Sequence, residues 1–169
     1  SFGPPLSLGM RSRAEYADFT LSSPCANVGQ MLAKATVEGL DVLAVRPISE
    51  KAESLTKIVT LAEYRITCAI DNSLEARMRD ILTRERIIVE RVTKNGPKEI
   101  DIRPGIIDLA VDPGGEGIVM TLGLETGRAA RPSEVTTLLF DEGVPFDVTR
   151  IEQYAELGGE RVSPMEIVR

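Results

Sequence analysis

The sequence holds no histidine, no tryptophan, two cysteines, and only seven phenylalanines and tyrosines together. The missing imidazole excludes Ser-His-Asp and Cys-His triads built from this chain, histidine acid–base work and histidine-ligated metal. Cys25 and Cys68 are too few for a disulfide framework or a four-thiolate zinc or iron–sulfur site. Their number fits a reducing compartment. Scarce aromatics argue against a broad stacking platform for single-stranded nucleic acid. No apolar run approaches the ~20 residues of a membrane span. The first residues lack a leader's pattern of charge followed by an apolar run, so a cytoplasmic location without membrane contact is expected.

What is present is globular in character. The 169 residues are 43% hydrophobic and 27% charged, with a net charge of −6, enough for one ordinary domain or two very small ones. The opening SFGPPLSLG (Ser1–Gly9) reads as turn or extended chain. A strand is expected over Ala14–Leu21. Ser23 and Pro24 then start a helix whose apolar stripe is Val28, Met31, Leu32 and Ala35, and Gly39 stops it. A further strand is expected over Leu40–Ile48. After a polar connection, Tyr64, Ile66, Cys68 and Ile70 alternate as a strand does. Asp71-Asn72-Ser73 caps a helix carrying Leu74, Met78, Ile81 and Leu82. Strands are expected at Ile87–Thr93, from Lys98 through Val111 with a break at Pro104-Gly105, at Ile118–Leu124 and at Phe146–Tyr154. Pro132 opens the last helix.

The second part therefore reads β-α-β-β-β-α-β. Counting the Pro104-Gly105 break as a bend in one long strand gives β-α-β-β-α-β, the ferredoxin-like split βαβ order. The strand–helix–strand at the start matches the last half of the same unit. The expected fold is α+β: tandem ferredoxin-like units, antiparallel sheets with helices on one face. Residues 1–57 form a partial unit lacking its opening strand and helix, and residues 58–169 a complete one. A single larger α+β sheet is the alternative. The incomplete unit would leave a sheet edge open to self-association.

Charge is uneven. Residues 77–103 hold eight Lys/Arg against five Asp/Glu, a local excess of +3 in an acidic chain. Such a patch fits a phosphate-rich partner, or a salt-bridged helix face with Glu75–Arg79 and Asp80–Arg84 pairs. Within it, IDIRP (Ile100–Pro104) is the sharpest feature. On a strand, Asp101 and Arg103 share a face, and the guanidinium either pairs with the carboxylate or offers its planar fork to phosphate. Lys98 lies near the strand end, within reach of solvent. The glycine-rich DPGGEG (Asp112–Gly117) lacks a P-loop's Gly-Lys-Ser/Thr ending and reads as a hairpin loop. Nothing in the spacing of Asp108, Asp112, Glu116 and Glu125 demands a metal.

Several stretches taken in order resemble a known family. They are SFGPPLSLG with RSRAEYADFTL, Leu40–Ile48 after Val37-Glu38-Gly39, Ser54-Leu55 with Ala62-Glu63-Tyr64, Lys98 with IDIRP, and Arg131–Val135. Together these resemble the radical-SAM-linked protein family of unknown function. Thr36-Val37 and the tail after Gly158 depart from its pattern. The resemblance implies a companion of a B12-binding radical SAM protein, found beside it or fused after it. S-adenosylmethionine, the iron–sulfur cluster and cobalamin would all be on that partner and none on this chain. It also implies about fifty further residues, a β-α stretch, before SFG. Genes of the family lie near ribonuclease and ribosomal protein genes, which implies RNA- or ribosome-linked work.

Three functions follow. The preferred one is a non-catalytic accessory module that presents an RNA or RNA-linked substrate to the radical SAM partner. Its contacts would be Arg91, Lys98 and Arg103, with Asp101 orienting Arg103. The second is a protein-docking domain without nucleic acid contact. The third is an RNA-modifying enzyme using Asp101 as acid or base.

Overall fold

Two short apolar alternations, around residues 64 and 120, and a mixed polar stretch around residue 150 build the centre of the fold. In a computed structural model, which describes residues 1–127 and 129–167, each becomes a strand. The elements are β1 (Arg11–Ser12), α1 (Val28–Ala35), α2 (Leu55–Ile58), β2 (Leu61–Thr67), α3 (Asn72–Thr83), β3 (Ile88–Thr93) and β4 (Gly96–Asp101). A 3-10 turn at Arg103–Gly105 follows, then β5 (Ile106–Val111), β6 (Gly117–Gly123), α4 (Pro132–Leu139), β7 (Asp147–Leu157) and β8 (Glu160–Val162). The chain is a mixed α+β protein.

The main sheet runs β1-β7-β2-β6-β5, and β8 pairs with β7 beyond this path. Its four long strands are antiparallel to their neighbours, while the short β1 lies parallel to β7. Ala62, Tyr64 and Ile66 of β2 and Ile118, Met120 and Leu122 of β6 point to one side. There they join Leu74, Met78 and Ile81 of α3 and Val135 and Leu139 of α4 in a single buried cluster. Both helices thus cover one face. Asp71 caps α3 as its sequence predicts, accepting the Leu74 N–H at 2.8 Å. Pro132 opens α4, and Glu134 closes its first turn by accepting the Arg131 N–H. Gly117 is forced by packing. Its φ is 155°, and a Cβ there would lie 1.9 Å from the Ile66 carbonyl oxygen across the sheet.

Three expectations need correction. The first helix begins at Val28 after Asn27, and not at Ser23-Pro24. The break at Pro104-Gly105 is not a bend in one strand. β4 pairs only with β3 in a separate two-stranded sheet, and β5 belongs to the main sheet. Proline cannot donate to a ladder, so the strand stops short of Pro104, which instead takes a first-turn position of the 3-10 turn, where no N–H is needed. With the β3–β4 hairpin set aside as an excursion, the order along the chain is β-α-β-β-α-β. The strands expected at Ala14–Leu21 and Leu40–Ile48 do not form. An alternating apolar pattern gives a chain the capacity to extend, but a strand exists only where another backbone answers its N–H and C=O groups. Residues 14–18 instead form an extended strap, held by hydrogen bonds between Gly3 N–H and Tyr16 O and between Asp18 N–H and Ser1 O. Asp80–Arg84 pairs at 2.5 Å as expected, whereas Glu75 and Arg79 make no pair among the described residues.

Candidate functional site

The β3–β4 hairpin places Arg91 directly across from Lys98 and Ile88 across from Asp101. The four residues singled out from the sequence therefore lie on one small unit, but they do different work. Asp101 Oδ1 accepts the N–H groups of Ile87 at 2.9 Å and Arg103 at 3.1 Å, and Oδ2 accepts from Arg86 Nε at 3.3 Å. The Ile87 N–H above all, with those of Arg103 and the Arg86 side chain, holds this carboxyl below its ordinary range. Such a group builds a turn. As a proton donor near neutral pH it is poorly placed.

Arg103 makes no side-chain pair with Asp101. Its guanidinium donates to the carbonyls of Leu82 at 2.7 Å, Arg84 at 3.1 Å and Ile106 at 2.7 Å. The 3-10 turn carries the side chain away from the strand face and against the end of α3. There the last carbonyls of a helix lack intrahelical partners and favour a cation. Arg91 grips Glu134 with two bonds of 2.6 Å and the Ala129 carbonyl with a third of 2.6 Å. The two side chains are only 12% and 14% exposed. Burial pushes the Glu134 carboxyl up, but Arg91 and the Arg131 N–H outweigh it and leave it below its usual range. Arg91 thus bolts the hairpin to the start of α4. Lys98 is exposed, without a partner among the described residues. Of the three cations proposed to touch RNA, one keeps its charge free.

The glycine-rich DPGGEG is the hairpin loop between β5 and β6. Asp112 is taken up by Arg65 Nε at 3.1 Å and by the Gly114 N–H at 3.1 Å. Among the described residues no three His, Cys, Asp or Glu side chains gather to hold a metal.

Two polar clusters were not anticipated. Arg150, on β7, is 2% exposed. It donates to both Glu15 oxygens at 2.9 and 3.1 Å, to the carbonyls of Pro4 and Pro5 at 2.9 Å each, and to the Tyr64 hydroxyl at 3.1 and 3.3 Å. Gln153 adds a bond to the Ala14 carbonyl at 2.6 Å. These two β7 side chains tie the N-terminal strap to the sheet. On the β2–β7 ladder, Glu63 faces Glu152 at a register shift beside Tyr64. Burial raises the Glu63 carboxyl, and Glu152 adds to the rise against the pull of Arg161. Glu152 is itself satisfied by the Tyr16 hydroxyl at 2.6 Å. Neither cluster leaves a distinct signal in the sequence, because Arg150 sits in a mixed stretch of β7 beside Thr149, Ile151, Glu152 and Gln153. Periodicity treats an arginine there as an outward-facing charge.

The third feature is apolar. No residue of α1 is buried, although its stripe is apolar. Phe19, Leu21, Met31, Val37, Leu40, Leu43 and Val45 stand 46–77% exposed. Cys25, also exposed, donates to Met31 Sδ at 3.4 Å. Monomeric proteins rarely leave so many large apolar groups in water within one stretch.

Comparison with curated proteins and with solved structures finds no match to this chain. Residues 1–132, by contrast, match a bacterial family described as "Uncharacterized protein conserved in bacteria (DUF2344)". That span takes in the strap, the exposed apolar stretch, the β3–β4 hairpin and most of the sheet, and on it the chain belongs to the DUF2344 family.

Proposed function

We propose that the chain is a non-catalytic protein-interaction module. The observation that carries this reading is the contrast in side-chain employment. Arg91 and Arg103 are spent on internal contacts, while seven large apolar side chains between Phe19 and Val45 stand about half or more exposed among the described residues. We read residues 58–169 as a ferredoxin-like unit, supported by the strand order β7-β2-β6-β5 with two helices on one face. In this reading the unit is a rigid base and residues 1–57 are the segment it displays. The sequence resemblance implies a radical SAM protein as the functional partner. The iron–sulfur cluster, S-adenosylmethionine and cobalamin would then belong to that partner, and this chain would supply surface.

A second reading keeps RNA in view, because Lys94 and Lys98 are exposed on the hairpin and have no partner among the described residues. Co-purification of the chain with the radical SAM protein separates the two. Under the interaction reading, binding survives ribonuclease treatment and the Lys98→Ala change. A mobility shift with total RNA at low salt, lost at high salt and in Lys98→Ala, would replace it with the RNA reading.

A further inference from the structure

We infer that the exposed apolar stretch is covered by a second copy of this chain, so that the protein is a two-fold dimer joined through residues 19–45. This rests on the interaction reading and names the occupant of its apolar face. Charge is the first argument. Residues 1–57 hold six basic and six acidic side chains, so the whole net charge of −6 falls on residues 58–169. Between Phe19 and Val45 the only charged residues are Lys34, Glu38 and Asp41. Two molecules that are each acidic elsewhere bring few like charges close together through this stretch, and the repulsion between their more distant charges is screened by salt. A two-fold interface also demands a patch that complements itself, and a nearly uncharged apolar one does so.

The same composition argues against other occupants. Nucleic acid and anionic lipid both need clustered Lys/Arg, and this stretch offers Lys34 alone. Area is the second argument. Seven large side chains presenting on the order of 100 Å² each approach the ~800 Å² per partner of a stable interface. Their exposure also costs the fold nothing to alter. Substitutions here therefore report on association rather than on folding.

Sedimentation equilibrium on the purified chain over a wide concentration range tests the proposal. The expected result is a dimer that persists as salt is raised, because the contact is apolar. Met31→Glu and Leu43→Glu should each weaken it by about tenfold or more, with an unchanged circular dichroism spectrum. A wild-type chain that stays monomeric overturns the proposal, as does a dimer that neither substitution weakens. Adding the radical SAM protein to a monomeric chain then decides the parent reading. A complex sensitive to Met31→Glu would leave interaction standing with a different occupant, and no complex would remove both.

Discussion

Residues 1–57 and 58–169 are built from similar proportions of apolar residues but use them in opposite ways. Of the buried apolar side chains, only Ala14 and Leu55 come from the first region. Of the exposed large ones among the described residues, nine of sixteen do. The second region closes its apolar pattern on itself because its strands find one another and two helices lie across them. The first has the pattern without the partners. Apolar content sets how much surface a chain would bury; pairing decides whether it does.

That contrast can be broken by experiment. The largest difference should come from truncations. Leu122→Ala, fully buried near the end of β6, should cost about 3 kcal/mol in chemical denaturation. Leu43→Ala, 77% exposed, should cost the isolated chain less than about 0.5 kcal/mol. Equal losses would mean residues 1–57 are folded into the core after all. Next is the tie between the regions. Arg150→Ala removes a buried cation from Glu15, Tyr64 and two carbonyls, and should destabilise by about 3 kcal/mol. Hydrogen exchange should show residues 1–18 losing protection before β2 and β6 do. Uniform loss would show that the strap is part of one cooperative unit.

Arg91→Ala should be smaller, about 2 kcal/mol, because Glu134 keeps some access to water. It should loosen the β3–β4 hairpin while leaving the main sheet intact. An unchanged hairpin in exchange measurements would mean that Arg91 is not its bolt.

The smallest effect is one of pH. The Glu63 carboxyl is raised by burial and by Glu152, so its ionised form weighs against the fold at neutral pH. Glu63→Gln should therefore stabilise at pH 7, and the gain should vanish below about pH 4, where the carboxyl is protonated folded or unfolded. Asp101 has the opposite sign. Held low by the Ile87 N–H, it contributes stability above about pH 4 that is lost as pH falls through its depressed folded value. A Glu63→Gln effect that is flat with pH would show that packing, rather than charge, is being measured.

Much of the second region was legible in advance. The period-two alternation around Tyr64 and Met120, the Asp71 cap and Pro132 at the start of α4 are local signals, and local backbone chemistry is enough to read them. Three things escaped. The side chain of Arg103 leaves the Asp101 face because a 3-10 turn intervenes, and a strand pattern contains no such turn. Arg150 is buried because a strap from a distant part of the chain brings carbonyls and Glu15 to it. The strands expected at Ala14–Leu21 and Leu40–Ile48 were read from propensity, and propensity carries no information about whether a neighbour is present. The candidate site suffered most. Lys98 alone among its cations has no partner among the described residues, because whether a guanidinium faces solvent or a carbonyl depends on what the rest of the fold places beside it.

The sequence by itself determined the residue types available for chemistry, the elements of the second region and the neutrality of the first, since each is a property of adjacent residues. Only the tertiary structure decided which charges are spent internally, where the strap is anchored and which apolar side chains remain in water. These depend on distant segments meeting, and a hydrogen bond or a packed contact has no existence until both of its halves arrive.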